Sequence, residues 1–182
     1  MKHTLSFTGL LAFVLWLSAS NSGFGTATTE IQFKTLESDR LSMELPATLS
    51  ETVEDFDSTA LLDYEDLDNG VFCLAFEELK ADWLEVGDSS DLTGRFREVA
   101  ERFQEGFNGS TLSQVTDEPI GSFPAKLGTV TGDLEEGGIF MRIGTLETPE
   151  AFVTIVIWCE QSERKRYESA FDRCLRSFKL KG

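Results

Sequence analysis

The second half of the chain contains four strand-like segments joined by short turns. They are TLSQVTDEP (111–119), FPAKLGTVTGDL (123–134), GIFMRIGTL (138–146) and AFVTIVIWC (151–159). The connections between them are only a few residues long. Because parallel neighbours need a crossover of a dozen or more residues, these connections predict antiparallel pairing. This series of strands limits the possible folds more than any other feature of the sequence.

The segment 151–159 is apolar at nearly every position. Such a strand is buried on both faces, so we expect it at the centre of a sheet with a helix on each side. The first helix has an apolar stripe and is expected to stop at Gly109; the stripe is Leu92, Phe96, Val99, Phe103 and Phe107. The second is expected to begin at Ser162 and end near Ser177, burying Tyr167, Ala170, Phe171, Cys174 and Phe178.

The first half adds three more strands. RLSMELP (40–46) alternates and ends at a proline, and residues 60–79 read as two strands that meet at Asn69-Gly70. Asn-Gly between apolar runs predicts a type I′ hairpin turn, in which both residues have positive φ. The sequence therefore predicts an α+β fold: an antiparallel sheet of about six to seven strands flanked by two helices, an α-β-α sandwich.

The acidic stretch DYEDLDNGVF (63–72) also invites comparison with a calcium-binding loop. An EF-hand needs oxygen ligands at positions 1, 3 and 5, glycine at 6 and glutamate at 12. With Gly70 at position 6, Leu67 falls at position 3 and Phe76 at position 12. The stretch is therefore interpreted as a hairpin tip. Weak surface binding of a divalent cation is left open, with these acids as its ligands: Asp63, Glu65, Asp66 and Asp68.

The N-terminus has the pattern of a secretory signal. Lys2 and His3 precede the apolar run LSFTGLLAFVLWL (5–17), and small and polar residues follow it. The run is shorter than the roughly 20 residues of a membrane-spanning helix. We expect residues 1–27 to be a cleaved signal peptide and residues 28–182 to form a single domain. The mature protein is then exported (periplasmic or extracellular) and soluble.

Removal of the signal leaves a domain without histidine, because His3 is the only histidine in the chain. Serine–histidine–acid triads, cysteine–histidine pairs and histidine-ligated metal sites all require an imidazole. Phosphate-binding loops, dinucleotide fingerprints and nucleophile elbows are also absent from the sequence. We therefore predict no catalytic residues, no cofactor and no metal. A hydrolase that uses two carboxylates is the third and weakest hypothesis.

The formal net charge is −16, and it is unevenly distributed. Residues 163–182 carry +4, which leaves −20 for the rest of the chain. This charge disfavours nucleic acid and anionic lipid as partners. Arg164, Lys165 and Arg166 fall in the first turn of the last helix, where the helix dipole disfavours cations. They are a candidate docking patch for an acidic partner, or they fold over the acidic body of the domain.

Cys73, Cys159 and Cys174 are an odd number of cysteines for an oxidising compartment. One disulfide with one buried thiol and three buried thiols both fit the sequence. Cys159 ends a strand and Cys174 lies far along the following helix, so this pair is disfavoured by distance. Cys73 with Cys174 is the better candidate disulfide. No spacing among the three indicates a redox or metal site.

Several segments resemble those of the PsbP/DcrB-like superfamily. They are SMELP (42–46), GSFPAKLGTVTG (121–132), the paired runs GGIFMRIGTL (137–146) and AFVTIVIWC (151–159), and the closing RSF (176–178). The resemblance covers roughly residues 30 to 180. It implies an α-β-α sandwich in a family of mostly non-catalytic, secreted or membrane-attached accessory proteins. No family catalytic set exists to carry over to this chain.

These observations lead to two main functional hypotheses. The first is a secreted, non-enzymatic accessory or binding protein that acts through contacts with an unidentified protein partner. The second is a carrier of an apolar small molecule or lipid in a core pocket, suggested by the twelve phenylalanines downstream of the signal. An internal pocket would favour the carrier, whereas regular packing of the helix stripe would favour the accessory protein.

Overall fold

The structure is a computed structural model that describes residues 30–52, 60–85, 91–134 and 137–181. The predicted signal peptide lies outside these residues. The elements are β1 (Phe33–Glu37), β2 (Leu41–Pro46), β3 (Ser50–Glu51), β4 (Leu62–Asp66), β5 (Val71–Leu79), α1 (Lys80–Glu85), α2 (Leu92–Glu105), β6 (Asn108–Asp117), β7 (Ala125–Leu134), β8 (Gly137–Glu147), β9 (Ala151–Glu160), α3 (Arg164–Ser177) and β10 (Lys179–Leu180).

Seven strands form one antiparallel sheet in the order β3-β4-β5-β9-β8-β7-β6. Strand β9 is central and pairs with β5 on one side and β8 on the other. Its residues from Ala151 to Cys159 are all buried. The predicted central strand and the α+β fold class are therefore confirmed. Among the described residues, no helix has the length and apolar character needed to cross a membrane.

Helix α2 covers one face of the sheet. Asp91 caps its N-terminus by accepting a hydrogen bond from the Gly94 amide. The buried side chains of α2 include Phe96, Val99 and Phe103, which belong to one core cluster with residues of β5, β7, β8 and β9. The helix ends at Glu105, so the prediction that Gly109 stops it was wrong. Gly109 lies instead within β6, with φ of 56°.

Helix α3 covers the other face of the sheet. It buries all the side chains predicted for this helix face: Tyr167, Ala170, Phe171, Cys174 and Phe178. Ser162 is not its N-cap. A 3-10 turn (Gln161–Glu163) precedes the helix, and the Ser162 hydroxyl donates a hydrogen bond to Glu160 instead. Glu163 occupies the cap position without a side-chain cap bond.

A second, three-stranded sheet has the order β1-β2-β10. The predicted opening strand RLSMELP contains β2, but β2 belongs to this small sheet and not to the large one. Its buried residues Leu41, Met43 and Leu45 join the core on the α3 side of the large sheet. Strand β10 comes directly after α3 and pairs with β2. Strand β10 therefore completes the three-stranded sheet as one of its edge strands.

The β4–β5 hairpin has a four-residue loop, Leu67 to Gly70. Gly70 has φ of 61°, but Asn69 does not have positive φ, so the predicted type I′ turn was wrong. The Asp66 carboxylate accepts hydrogen bonds from the backbone and side-chain amides of Asn69, at 3.1 and 2.7 Å. This side-chain turn explains why an aspartate is buried at a hairpin tip.

Candidate functional site

Strand β6 forms one edge of the seven-stranded sheet and spans ten residues, Asn108 to Asp117. Its inner side pairs with β7, and its outer side pairs with no strand in the described part of the chain. Most of its side chains are exposed, including Val115 at 48%. An edge strand of this kind presents unpaired N–H and C=O groups that can pair with another chain.

The sequence of β6, NGSTLSQVTD, has no lysine, arginine or proline, and its single charge lies at the last residue. Lysine, proline, short length and β-bulges are common ways to protect an edge strand from pairing, and of these β6 has only bulges. The edge strands β3 and β10 have only two residues each, and β1 has five with Lys34 and Glu37 among them. Strand β6 is thus the long, uncharged edge among the described strands.

Two β-bulges interrupt the pairing of β6 with β7, one between Asn108 and Thr111 and one between Ser113 and Thr116. The first bulge contains Gly109, which adopts positive φ without a steric cost. The second contains Gln114, whose φ of 55° is unfavourable for a residue with a side chain. Non-glycine residues in this region are concentrated at functional sites.

The side chain of Gln114 connects the edge strand to the interior of the sheet. Its Oε1 accepts a hydrogen bond of 3.0 Å from the Thr129 hydroxyl, which in turn accepts one of 2.6 Å from Arg142. Arg142 also donates to the Asp172 carboxylate of α3 at 2.9 Å. This polar chain fixes the second bulge relative to α3, so the edge has a defined conformation.

Acidic residues lie at both ends of β6. Asp133 of β7 is opposite Asn108, and its side chain is exposed. Asp117 ends the strand; its side chain is 81% exposed while it forms an ion pair of 2.5 Å with Lys126. The edge therefore has an uncharged middle with a carboxylate near each end.

The predicted docking patch of Arg164, Lys165 and Arg166 lies in the first turn of α3, as expected. Arg164 forms an ion pair with Glu168 at 2.8 Å, and its guanidinium lies 4.9 Å from the centre of the Phe140 ring. Arg166 donates to the Asn69 side chain of the hairpin loop at 3.3 Å. Lys165 is exposed. Two of the three cations are thus engaged within the domain, and the docking patch stays a prediction.

Cations further along α3 hold it to acidic segments elsewhere in the chain. Arg173 donates two hydrogen bonds to Glu44 of β2, and Arg176 donates two to Glu118. These hydrogen bonds lower the pKa of both glutamates. The excess of basic residues near the C-terminus therefore has a structural use in binding α3 to the acidic body.

Cys73, Cys159 and Cys174 are free, buried thiols in the structure, and all three belong to the core on the α3 side. The Cys73–Cys174 disulfide is not formed here, and the pairing stays a prediction. Burial raises the pKa of the Cys73 thiol well above its ordinary value, and Cys174 adds a smaller effect in the same direction.

The hairpin acids do not assemble into a cation site. Asp66 is 7% exposed and is bonded to Asn69. Within the ranges that the structure describes, no group of three or more Cys, Asp, Glu or His side chains is arranged to hold a metal ion.

Sequence reasoning did not identify the exposed edge of β6, Gln114 or the polar chain behind it. The low apolar content of 111–119 was a usable signal, because a strand that is polar on both faces belongs at an edge. Arg142 within the apolar run GIFMRIGTL was a second signal, since a buried charge requires a partner. No local pattern predicts the left-handed conformation of Gln114.

Several solved structures are similar to this chain, among them two that match over most of its length. The solution structure of cyanobacterial PsbP (CyanoP) from Synechocystis sp. PCC 6803 has a TM-score of 0.58 and 12% identity, over 90% of this chain and 98% of that chain. The crystal structure of LpqN, involved in cell envelope biogenesis of Mycobacterium tuberculosis, has a TM-score of 0.56 and 13% identity, over 85% and 93%. No protein-family model and no curated sequence matches. The chain thus has a PsbP-like fold, as its sequence resemblance implied.

Proposed function

We propose that the protein is an exported, non-enzymatic accessory protein that binds an extended segment of another protein along β6. The observation that carries this proposal is the long outer edge of β6, which has no charged residue from Asn108 to Thr116. A partner strand added there gains backbone hydrogen bonds where β6 is regular, outside its two bulges, while pockets for alternate side chains give specificity. The similarity to LpqN is compatible with an exported role.

The polar chain behind the edge supports the same function. A docking edge has to present its N–H and C=O groups in a fixed arrangement, because ordering them during binding would reduce the affinity. Gln114 holds a strained backbone conformation while its side chain is bonded to Thr129. The bulge is therefore fixed before a partner arrives.

The test uses the protein as exported from cells that express the full chain. It is immobilised and used to capture partners from the native exported fraction, beside two variants with the same substitution. Thr116→Lys places a cation on the outer edge of β6, and Thr35→Lys places one on the exposed edge strand β1. We expect Thr116→Lys to abolish capture of a reproducible partner and Thr35→Lys to leave it unchanged.

Equal capture by both variants would overturn the edge proposal. A third variant, Lys165→Glu, then separates the edge from the predicted patch at Arg164, Lys165 and Arg166. If only this variant loses the partner, the first turn of α3 is the docking site. Circular dichroism and thermal unfolding of all three variants serve as controls for the fold.

One observation favours the second candidate function, a carrier of an apolar molecule. The indole N–H of Trp158 is buried, has no acceptor among the described residues and lies in a ring stack with Phe72, at 5.3 Å between centroids. A ligand with one polar group could accept this hydrogen bond. Organic extraction of the exported protein, followed by mass spectrometry, tests this function: a stoichiometric lipid that Trp158→Phe fails to retain would favour the carrier.

A further inference from the structure

Resting on the proposed function, we infer that the partner segment is an extended strand with an uncharged middle and a cationic residue at each end. The uncharged middle follows from β6 itself, where Gly109 to Thr116 carries no charge. A charged side chain in the middle of the partner strand would have no opposite charge on β6 to meet.

The cationic ends follow from the acids that flank the edge. Asp133 is exposed beside the start of β6, and at the other end Asp117 is 81% exposed but is paired with Lys126 at 2.5 Å. Glu105 is exposed on the last residue of α2, three residues before β6 begins. A lysine or arginine at one end of the partner strand would pair with Asp133 or Glu105, and one at the other end would share the exposed Asp117 carboxylate with Lys126. Opposite charges also favour encounter at a distance, because the chain as a whole carries −16.

The length of the partner segment follows from the register of β6. The ten residues from Asn108 to Asp117 oppose eight residues of β7, Lys126 to Asp133, because two bulges take up the difference. Eight residues at about 3.3 Å each span about 26 Å. The two cations are therefore expected about eight residues apart.

A second copy of this chain does not fit the same edge. Antiparallel pairing of β6 with another β6 would place Asp117 of one copy opposite Asn108 of the other, with Asp133 of β7 one strand behind it, at both ends of the pair. Like charges brought near one another in this way repel. The two copies would also repel each other through their net charges of −16.

The experiment uses three synthetic peptides with the same middle, Thr-Val-Thr-Val-Thr-Val-Thr, and with arginine, glutamine or glutamate at both ends. Binding to the exported protein is measured by titration at low salt, and hydrogen exchange locates the site. We expect slowed exchange of β6 amides with the arginine and glutamine peptides. The arginine peptide should bind about five-fold more tightly than the glutamine peptide, and the ratio should approach one in 0.5 M salt.

Asp117→Asn and Asp133→Asn should each reduce this ratio, whereas Asp39→Asn, an exposed control that precedes β2, should not. Protection of β6 with equal affinity for all three peptides would overturn the cationic preference and leave the docking edge intact. Absence of β6 protection with every peptide, or protection that Thr116→Lys does not remove, would overturn both this inference and the proposed function.

Discussion

Gln114 and Thr129 link the edge strand to the interior of the sheet through a hydrogen bond of 3.0 Å between Oε1 of Gln114 and the Thr129 hydroxyl. The bond is maintained although the Gln114 backbone has φ of 55°, which costs about 1 kcal/mol or more for a residue with a side chain. Strain and hydrogen bonding at this position can be separated by substitution.

Gln114→Ala removes the hydrogen bond and keeps the strain, whereas Gln114→Gly removes both. We expect the glycine variant to be about 1 kcal/mol more stable than the alanine variant in urea unfolding. The neighbouring Ser113 lacks positive φ. At position 113 we expect the opposite ranking of the two variants, with Ser113→Gly about 0.5–1 kcal/mol less stable than Ser113→Ala. The same order at both positions would contradict the strained conformation of Gln114.

The buried ion pair between Arg95 of α2 and Glu78 of β5 gives a second prediction. Arg95 is fully buried, donates two hydrogen bonds to Glu78 and stacks on the Trp83 ring at 3.6 Å. Arg95→Met leaves the Glu78 carboxylate buried without its partner, so we expect a loss of about 3–5 kcal/mol in the free energy of unfolding.

The control for this variant is Arg40→Met, which removes a pair with Glu77 in which the arginine is 60% exposed. Its cost should be about 1 kcal/mol or less. The double variant Arg95→Met/Glu78→Leu should recover a large part of the stability, because no buried charge remains. Failure of this recovery would mean that Arg95 acts mainly through packing on Trp83.

The three thiols predict a pH dependence of stability. Burial raises the pKa of Cys159 and Cys174 to about 12, and it raises the pKa of Cys73 well above its ordinary value. In the unfolded chain a thiol ionises near pH 8.5. Above this pH the unfolded state loses protons that the native state keeps, so stability is complete below about pH 8 and falls as pH rises.

Each thiol should lower the free energy of unfolding by about 1.4 kcal/mol per pH unit between about pH 9 and 11. Urea unfolding across this range measures the slope, and Cys159→Val should reduce it by one thiol's share. A Cys73–Cys174 disulfide would leave only the contribution of Cys159. Counting reactive thiols in denaturant without reductant gives three for free thiols and one for the disulfide.

Close packing between α2 and the sheet gives a fourth prediction. A Cβ atom added at Gly128 of β7 would lie 2.6 Å from the Phe96 ring, which is shorter than any real contact of this kind. Gly128→Ala should therefore cost about 1–3 kcal/mol. Phe96→Leu in the same chain makes room, so the double variant should be more stable than the sum of the single effects predicts. A tolerated Gly128→Ala would instead indicate unfilled space beside Phe96, as the carrier function requires.

Much of the architecture could be predicted because its signals are local. The apolar run 151–159 indicated a central strand, and the stripe containing Phe96 and Phe103 indicated a helix that covers the sheet. The short connections between strands required antiparallel neighbours. The errors lie at element boundaries and at one turn: Gly109 does not stop α2, Ser162 does not cap α3, and Asn69-Gly70 does not form a type I′ turn. A glycine can follow a helix or lie in a β-bulge, and a serine can cap a helix or bond to another side chain. Only the surrounding contacts select between these roles.

The sequence by itself determined which segments become strands and helices, since burial on one face or two faces leaves a periodic pattern. Tertiary structure decided the order of the strands, because that order depends on pairings between distant segments, whereas the polar character of 111–119 indicated only that this strand suits an edge. It likewise brought Arg142 to Asp172 and Arg95 to Glu78, and it gave Gln114 its left-handed conformation. These contacts join residues far apart in the chain, so no local periodicity records them, and they define the docking edge proposed for this protein.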